Sequence, residues 1–165
     1  PHPSGAEKKK ESRYTRKKRE FSVFQKLEQL RDEWGGLLAE AWEDLYEIEE
    51  EHYMELCGEF ERTYGYESSR RGEWECMGEQ LMVFFVYTYF CGAVYDDAVY
   101  SKMALAVFST EWIQEFVMLI WLKNGKKIGF EDMVETAYRY AREVEHSDLN
   151  LEVLERWLEK NKRER

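Results

Sequence analysis

The chain has 165 residues, a formal net charge of −10 and an aromatic content of 16%. This length suits one domain with a buried core, and the aromatic content argues against a disordered polyanion. Both prolines lie within the first three positions and only 10 residues are glycine, which disfavours an all-β domain rich in tight turns. The abundant Glu, Leu, Lys and Arg instead favour helices.

The first 20 residues differ in charge from the rest of the chain. Eight Lys or Arg and three Glu give this segment a charge of +5, so residues 21–165 carry −15. An acidic body repels the phosphates of nucleic acids, so we expect a nucleic-acid partner only for the basic segment. We predict a basic, flexible or helical arm over 1–20, an all-α domain over 21–160 and a charged tail over 161–165.

Apolar residues recur at steps of three and four in the N-terminal half and predict two helices there. The first covers about 7–34 and ends at Gly35-Gly36, because paired glycines break helices. The second covers about 37–64 and has one acidic face. The residues of this acidic face are Glu40, Glu43, Asp44, Glu47, Glu50, Glu51, Glu55 and Glu59.

The C-terminal half predicts further helices over about 73–95, 98–123, 130–145 and 149–160. The helix over 73–95 is apolar on nearly every side, which predicts a central position surrounded by other helices. Its longest apolar run has 15 residues, whereas a membrane-spanning helix needs about 20, so we expect no membrane partner. The predicted fold is a single-domain all-α bundle of five or six helices.

The three cysteines, Cys57, Cys76 and Cys91, form no CxxC or CxxxC pair, so no zinc or iron–sulfur site is indicated. Their odd number and the lack of a signal peptide favour a reducing, cytoplasmic setting.

Two Glu-x-x-His pairs, at 49–52 and 143–146, have the ligand spacing of carboxylate-bridged dimetal bundles. A complete site needs one further Glu from each of two other helices. Glu111 and Glu115 are available on one helix, but the helix over 73–95 has only Glu79 near its start. The ligand set is incomplete, so a dimetal enzyme is the weakest interpretation and no metal site is predicted.

The densest polar cluster is YRYAREVEHSD, at the end of the helix over 130–145. A histidine in such a cluster is a candidate base near neutral pH. The alternative is structural, in which a Ser or Asp caps the last helix and the other residues close the helix end. The candidate residues of this cluster are Tyr138, Arg142, Glu145, His146 and Asp148.

A second cluster joins the helices over 73–95 and 98–123. It contains four tyrosines, at positions 87, 89, 95 and 100, and the pair Asp96-Asp97. Tyrosine rings beside a carboxylate can hold a methylammonium or lysine side chain. The alternative is that these tyrosines are core residues whose hydroxyls are hydrogen-bonded. Tyr95 and Asp96 are the candidates for substrate binding here.

The stretches over 89–110 and 121–155 resemble the C-terminal half of bacterial flagellin lysine-N-methylases, most specifically in YRYAREVEHSDLNLE. The resemblance covers about 21–156. It implies methyl transfer to the ε-amines of flagellin lysines, with S-adenosylmethionine as the donor. Members of this family also resemble one another in a cysteine-rich, metal-binding N-terminal part, which has no counterpart in this chain. The resemblance therefore implies either the C-terminal part of a larger enzyme or a shortened relative.

Methyl transfer to lysine needs a neutral amine, so the site should offer a base and an aromatic surround that tolerates a cation. We predict His146 as the base and Glu145 or Asp148 as its orienting or ammonium-binding partner. Tyr95 and Tyr138 would form the aromatic wall. Arg142 is grouped with the catalytic residues and Asp96 with the substrate-binding residues.

A non-catalytic interaction module is the alternative. Its acidic helix face would bind a basic protein partner, no cofactor would bind, and partner binding would be lost at high salt.

Overall fold

The computed structural model describes residues 11–65, 72–96 and 98–162, with the side chains of 91–96 left out. These residues form seven α-helices and no strand, which confirms the all-α prediction and exceeds the predicted five or six helices. The helices are α1 (Arg13–Phe24), α2 (Asp32–Ala41), α3 (Glu50–Tyr64), α4 (Glu73–Asp96), α5 (Val99–Lys123), α6 (Phe130–Val144) and α7 (Asp148–Lys160). A π-helical turn, Trp42–Tyr46, continues α2.

The predicted break at Gly35-Gly36 is wrong, because both glycines lie inside α2. Asp32 and Glu33 occupy the first turn of α2, where acidic side chains interact favourably with the helix dipole. The neighbouring Trp34 is 3% exposed. Tertiary packing of the buried residues of α2, which include Trp34, outweighs the low helix propensity of glycine.

The predicted continuous helix over 37–64 is also interrupted, at residues 47–49. The π-helical turn places Leu45 and Tyr46 in the core, both fully buried, and Glu49 then adopts an extended conformation. The Tyr14 hydroxyl of α1 donates to the Ile48 carbonyl oxygen at 2.5 Å and lies 3.0 Å from that of Tyr46. A tyrosine from α1 therefore binds the carbonyls that the interruption releases.

The structure has one apolar central helix, as predicted, but this helix is α5 and not the helix over 73–95, which is α4. α5 packs against α4, α6 and α7, and its Phe108, Trp112 and Phe116 are fully buried. α4 lies at the side of the bundle and leaves one apolar face open; its exposed residues include Val83, Phe84, Tyr87 and Phe90. The all-round apolar pattern of α4 therefore has two parts. One apolar face packs on α5, and another faces outward.

Within the described residues, α5 is also the one helix whose length and apolar composition would suffice to cross a membrane. However, 72% of its most apolar stretch is buried inside the bundle. Such burial is that of a core helix.

α1 is attached to α5 by a buried ionic network. The Lys17 ammonium, 1% exposed, lies 2.8 Å from a Glu111 carboxylate oxygen and 3.2 Å from one of Glu20. Glu20 is fully buried and also accepts a hydrogen bond from the Trp112 indole at 3.1 Å. Each of these buried charges has a partner, as burial of charge requires.

A second buried carboxylate, Glu115 of α5, joins three elements. It is fully buried and accepts from the Arg13 guanidinium at 3.0 Å and from the Tyr53 hydroxyl at 3.0 Å. The hydroxyl of Tyr46 donates to it at 2.8 Å. Burial and the neighbouring carboxylate raise the pKa of Tyr46 and Tyr53, so both stay protonated donors.

Part of the predicted basic arm over 1–20 is helical and packed into the domain. Residues 13–20 form the first turns of α1, and Lys17 and Glu20 are buried in the domain. Residues 1–10 lie outside the described part of the chain.

We predict that Lys17→Met lowers the free energy of unfolding by about 3 kcal/mol, because it leaves Glu20 charged and buried with its nearest cation removed. Lys18→Met is the matched control. Lys18 is only partly buried and contacts the Tyr14 hydroxyl and ring. Denaturant titration of both variants checks this, and equal losses for the two would contradict it.

Candidate functional site

A cleft separates the start of α2 from α6, and we call it the α2–α6 cleft. Its inner part has a volume of about 70 Å³ and its outer part about 340 Å³. The inner part is lined by Arg31, Glu33, Trp34, Leu37, Glu135, Arg139, Arg142 and Glu143. The outer part is lined by Leu30, Arg31, Tyr138, Arg142 and His146. Arg31 and Arg142 line both parts, so the two parts are adjacent.

The segment over 25–31 forms one wall of this cleft, and Asn150 of α7 holds it in place. The fully buried Asn150 amide accepts from the Glu28 backbone N–H at 2.8 Å and donates to the Glu28 carbonyl at 3.0 Å. The same amide donates to the Glu143 carbonyl at 2.8 Å. One side chain therefore ties the segment to both α6 and α7.

Ser147 strengthens this junction. Its hydroxyl donates to the Glu28 carboxylate at 2.5 Å and accepts from the Asn150 backbone N–H at 3.1 Å. Ser147 is thus the N-cap of α7, one of the two caps that the sequence allowed.

The structure brings together three of the predicted site residues, Tyr138, Arg142 and His146, in the outer part of the cleft. The Arg142 guanidinium lies 5.1 Å from the centroid of the Tyr138 ring, which is a cation–π distance. Tyr138 is 53% exposed and His146 is also exposed, so both can meet a ligand from solvent.

Glu145 is hydrogen-bonded to α4. Its carboxylate accepts a hydrogen bond from the Tyr89 hydroxyl of α4 and does not line the α2–α6 cleft. Burial raises the pKa of the Glu145 carboxyl to about 7, against the lowering effect of the Tyr89 hydrogen bond. Tyr89 is itself buried, as the structural alternative for the tyrosine cluster expects.

Asp148 does not line the outer part of the cleft with His146. It occupies the first turn of α7 and is exposed. The side chains of Tyr95 and Asp96 are not among those that the structure describes. Of the two tyrosines of the predicted aromatic wall, Tyr138 is therefore the one whose position is known.

Glu143 and Arg31 are among the cleft residues that sequence reasoning missed. Glu143 is 3% exposed; one carboxylate oxygen accepts from the Leu30 backbone N–H at 2.9 Å, and the other, Oε1, has no hydrogen-bond partner among the described residues. Glu143 entered the sequence analysis only through its spacing to His146. Arg31 lies in a stretch that was predicted to be helical, so nothing in the sequence singled it out.

The candidate dimetal ligands are engaged elsewhere. Glu111 and Glu115 bind cations of α1. His52 is exposed on α3, with its Nδ1 3.6 Å from a Glu55 carboxylate oxygen. Across residues 11–65, 72–96 and 98–162, no three His, Cys, Asp or Glu side chains are grouped so that they could hold a metal ion.

The raised pKa of Glu145 predicts a pH dependence of stability. The folded chain keeps a proton that the unfolded chain, with an ordinary pKa of 4.5, releases between pH 4.5 and about 7. This contribution to stability is therefore complete below pH 4.5 and is lost as the pH rises through about 7. Glu145→Gln should flatten this decline in denaturation experiments at a series of pH values. Asp148→Asn, at an exposed neighbour, should keep the wild-type slope; an unchanged slope in Glu145→Gln would contradict the assignment.

The family described as the FliB lysine N-methylase C-terminal domain matches residues 8–165. No curated protein matches the chain, and no solved structure matches it. The family match includes all of α1 and every residue of the α2–α6 cleft. The chain therefore belongs to the family of FliB lysine N-methylase C-terminal domains.

Proposed function

We propose that this chain serves the methylation of flagellin lysines, as the C-terminal domain of a FliB-type enzyme, and that the α2–α6 cleft is the reaction site. The observation that carries the proposal is the family match over residues 8–165. The cleft supports it, because the residues that resemble the lysine methylases most specifically, from 138 onward, supply its aromatic, cationic and imidazole groups.

His146 has the chemistry for the proton transfer. A lysine amine must lose its proton before its nitrogen can attack a methyl carbon, and a nitrogen of an exposed imidazole can accept that proton. The lone pair then forms the carbon–nitrogen bond while the methyl–sulfur bond breaks and its electrons stay on sulfur. S-Adenosylmethionine, the proposed donor, supplies the electrophilic methyl group when it is bound.

Tyr138 has a position suited to the amine. Its exposed ring borders the same outer part of the cleft as His146, and an aromatic ring face attracts an ammonium or methylammonium group. Arg142 packs on this ring, which limits the conformations that Tyr138 can adopt. We propose Arg142 as a positioning residue for Tyr138.

The interaction module is the alternative, and one observation favours it. Several glutamates of the predicted acidic face are exposed on and around α3, among them Glu50, Glu51 and Glu55. Two others are paired within the domain, Glu40 with Lys123 and Glu59 with Lys126, each at 2.5 Å. Partner binding through the remaining face would weaken steeply with salt.

We predict that His146→Ala lowers the rate of flagellin lysine methylation about 100-fold in the complete enzyme, the usual contribution of a positioned base. Incorporation of labelled methyl groups into purified flagellin measures it. His52→Ala is the control, since His52 is exposed on α3 and does not line the cleft. Unchanged methylation in His146→Ala would show that His146 is not the base. Two results together would favour the interaction module. The domain would bind flagellin in a salt-sensitive way, and the enzyme would still methylate flagellin after the domain is deleted.

A further inference from the structure

The inner part of the α2–α6 cleft contains a buried carboxylate oxygen that the described chain leaves without a hydrogen bond. It is Oε1 of Glu143, whose side chain is 97% buried and lines the cleft. The other oxygen, Oε2, is used by the Leu30 N–H. A buried carboxylate oxygen without a donor is costly, so this atom suits a donor that a ligand brings.

Three arginines line the inner part of the cleft together with Glu143, and two of them are not engaged by a carboxylate. Within the described part of the chain, neither Arg31 nor Arg142 forms an ion pair, and the Arg142 guanidinium lies on the Tyr138 ring. Arg139 differs, because its guanidinium donates to Glu135 at 2.9 Å. Arg31 and Arg142 are thus available to bind a carboxylate of a ligand, and guanidinium groups are well suited to that task.

The combination favours one ligand chemistry. A ligand with only an ammonium group would use Glu143 but would be repelled by Arg31 and Arg142. A ligand with only a carboxylate would leave Glu143 Oε1 without a donor. A group that carries an ammonium and a carboxylate on one carbon atom, the α-amino-acid group, satisfies all three side chains.

We propose that the α2–α6 cleft binds the α-amino-acid end of a ligand, with its ammonium on Glu143 and its carboxylate on Arg31 and Arg142. This inference rests on the proposed function, in which that end belongs to the methionine portion of the methyl donor. The outer part of the cleft, with Tyr138 and His146, is then left for the substrate amine. A free amino acid carries the same chemistry and is the other source of the ligand.

Calorimetric titration with three probes tests the proposal. S-Adenosylhomocysteine carries both the amino-acid end and the nucleoside, 5′-methylthioadenosine carries the nucleoside without the amino-acid end, and L-methionine carries the amino-acid end alone. We expect S-adenosylhomocysteine to bind at least tenfold more tightly than 5′-methylthioadenosine. Equal affinities for these two, or no binding of either amino-acid probe, would overturn the proposal.

Variants assign the binding to the three side chains. Glu143→Gln keeps an oxygen for the Leu30 N–H and removes the charge, so S-adenosylhomocysteine should bind at least tenfold more weakly, while binding of 5′-methylthioadenosine should not change. Glu131→Gln makes the same change at an exposed position on α6 and should bind like the wild type. Arg31→Ala, at an exposed position before α2, should also weaken the binding of S-adenosylhomocysteine, and it tests the proposal if Glu143→Gln folds poorly.

The outcomes separate this proposal from the proposed function. Unchanged binding of S-adenosylhomocysteine in folded Glu143→Gln and in Arg31→Ala overturns the amino-acid site, even if flagellin methylation depends on His146. Binding of L-methionine that needs Glu143 and Arg31, without any binding of S-adenosylhomocysteine, supports an amino-acid site and contradicts the methylase function of the cleft.

Discussion

The position of α1 depends on buried charges. Arg13 and Lys17 each hold a carboxylate of α5 in or beside the core, and Glu20 receives both an ammonium and an indole N–H. Ion pairs of this kind add little net stability compared with apolar packing, but they permit few alternative registers because a displaced helix would leave several charges unpaired. The network therefore fixes where α1 ends, and thereby where the segment over 25–31 begins.

That segment connects the ionic network with the cleft. It leaves α1 at Phe24 and is bound by Asn150 and Glu143, so Leu30 and Arg31 are held beside α6 by the backbone rather than by their own side chains. The position of the cleft wall therefore depends on the junction of α6 with α7. A cleft built in this way can hold charged groups in place before a ligand arrives, which reduces the ordering cost of binding.

Periodicity located α4, α5, α6 and α7 to within a few residues, because each has a clear apolar pattern and lies between recognisable breaks. It failed over 25–31, which contains neither Gly nor Pro; the interruption there depends on bonds to residues 122 and 113 positions away. For the same reason Tyr138, Arg142 and His146 could be grouped from their spacing near one helix end, whereas Arg31 and the unpaired oxygen of Glu143 join them only through the tertiary fold.

Because α1 is packed into the domain, it also determines how far the N-terminus can be truncated. Composition suggests a boundary at residue 21, where the charge of the chain changes sign. A protein shortened there would lose Arg13, Arg16, Lys17 and Glu20 while Glu111 and Glu115 stayed on the central helix, the latter in a site without its cation. Such a truncated protein would also lose the ammonium and the carboxylate that contact the Trp112 indole, and a failure of this protein to fold would say nothing about the chemistry of the cleft.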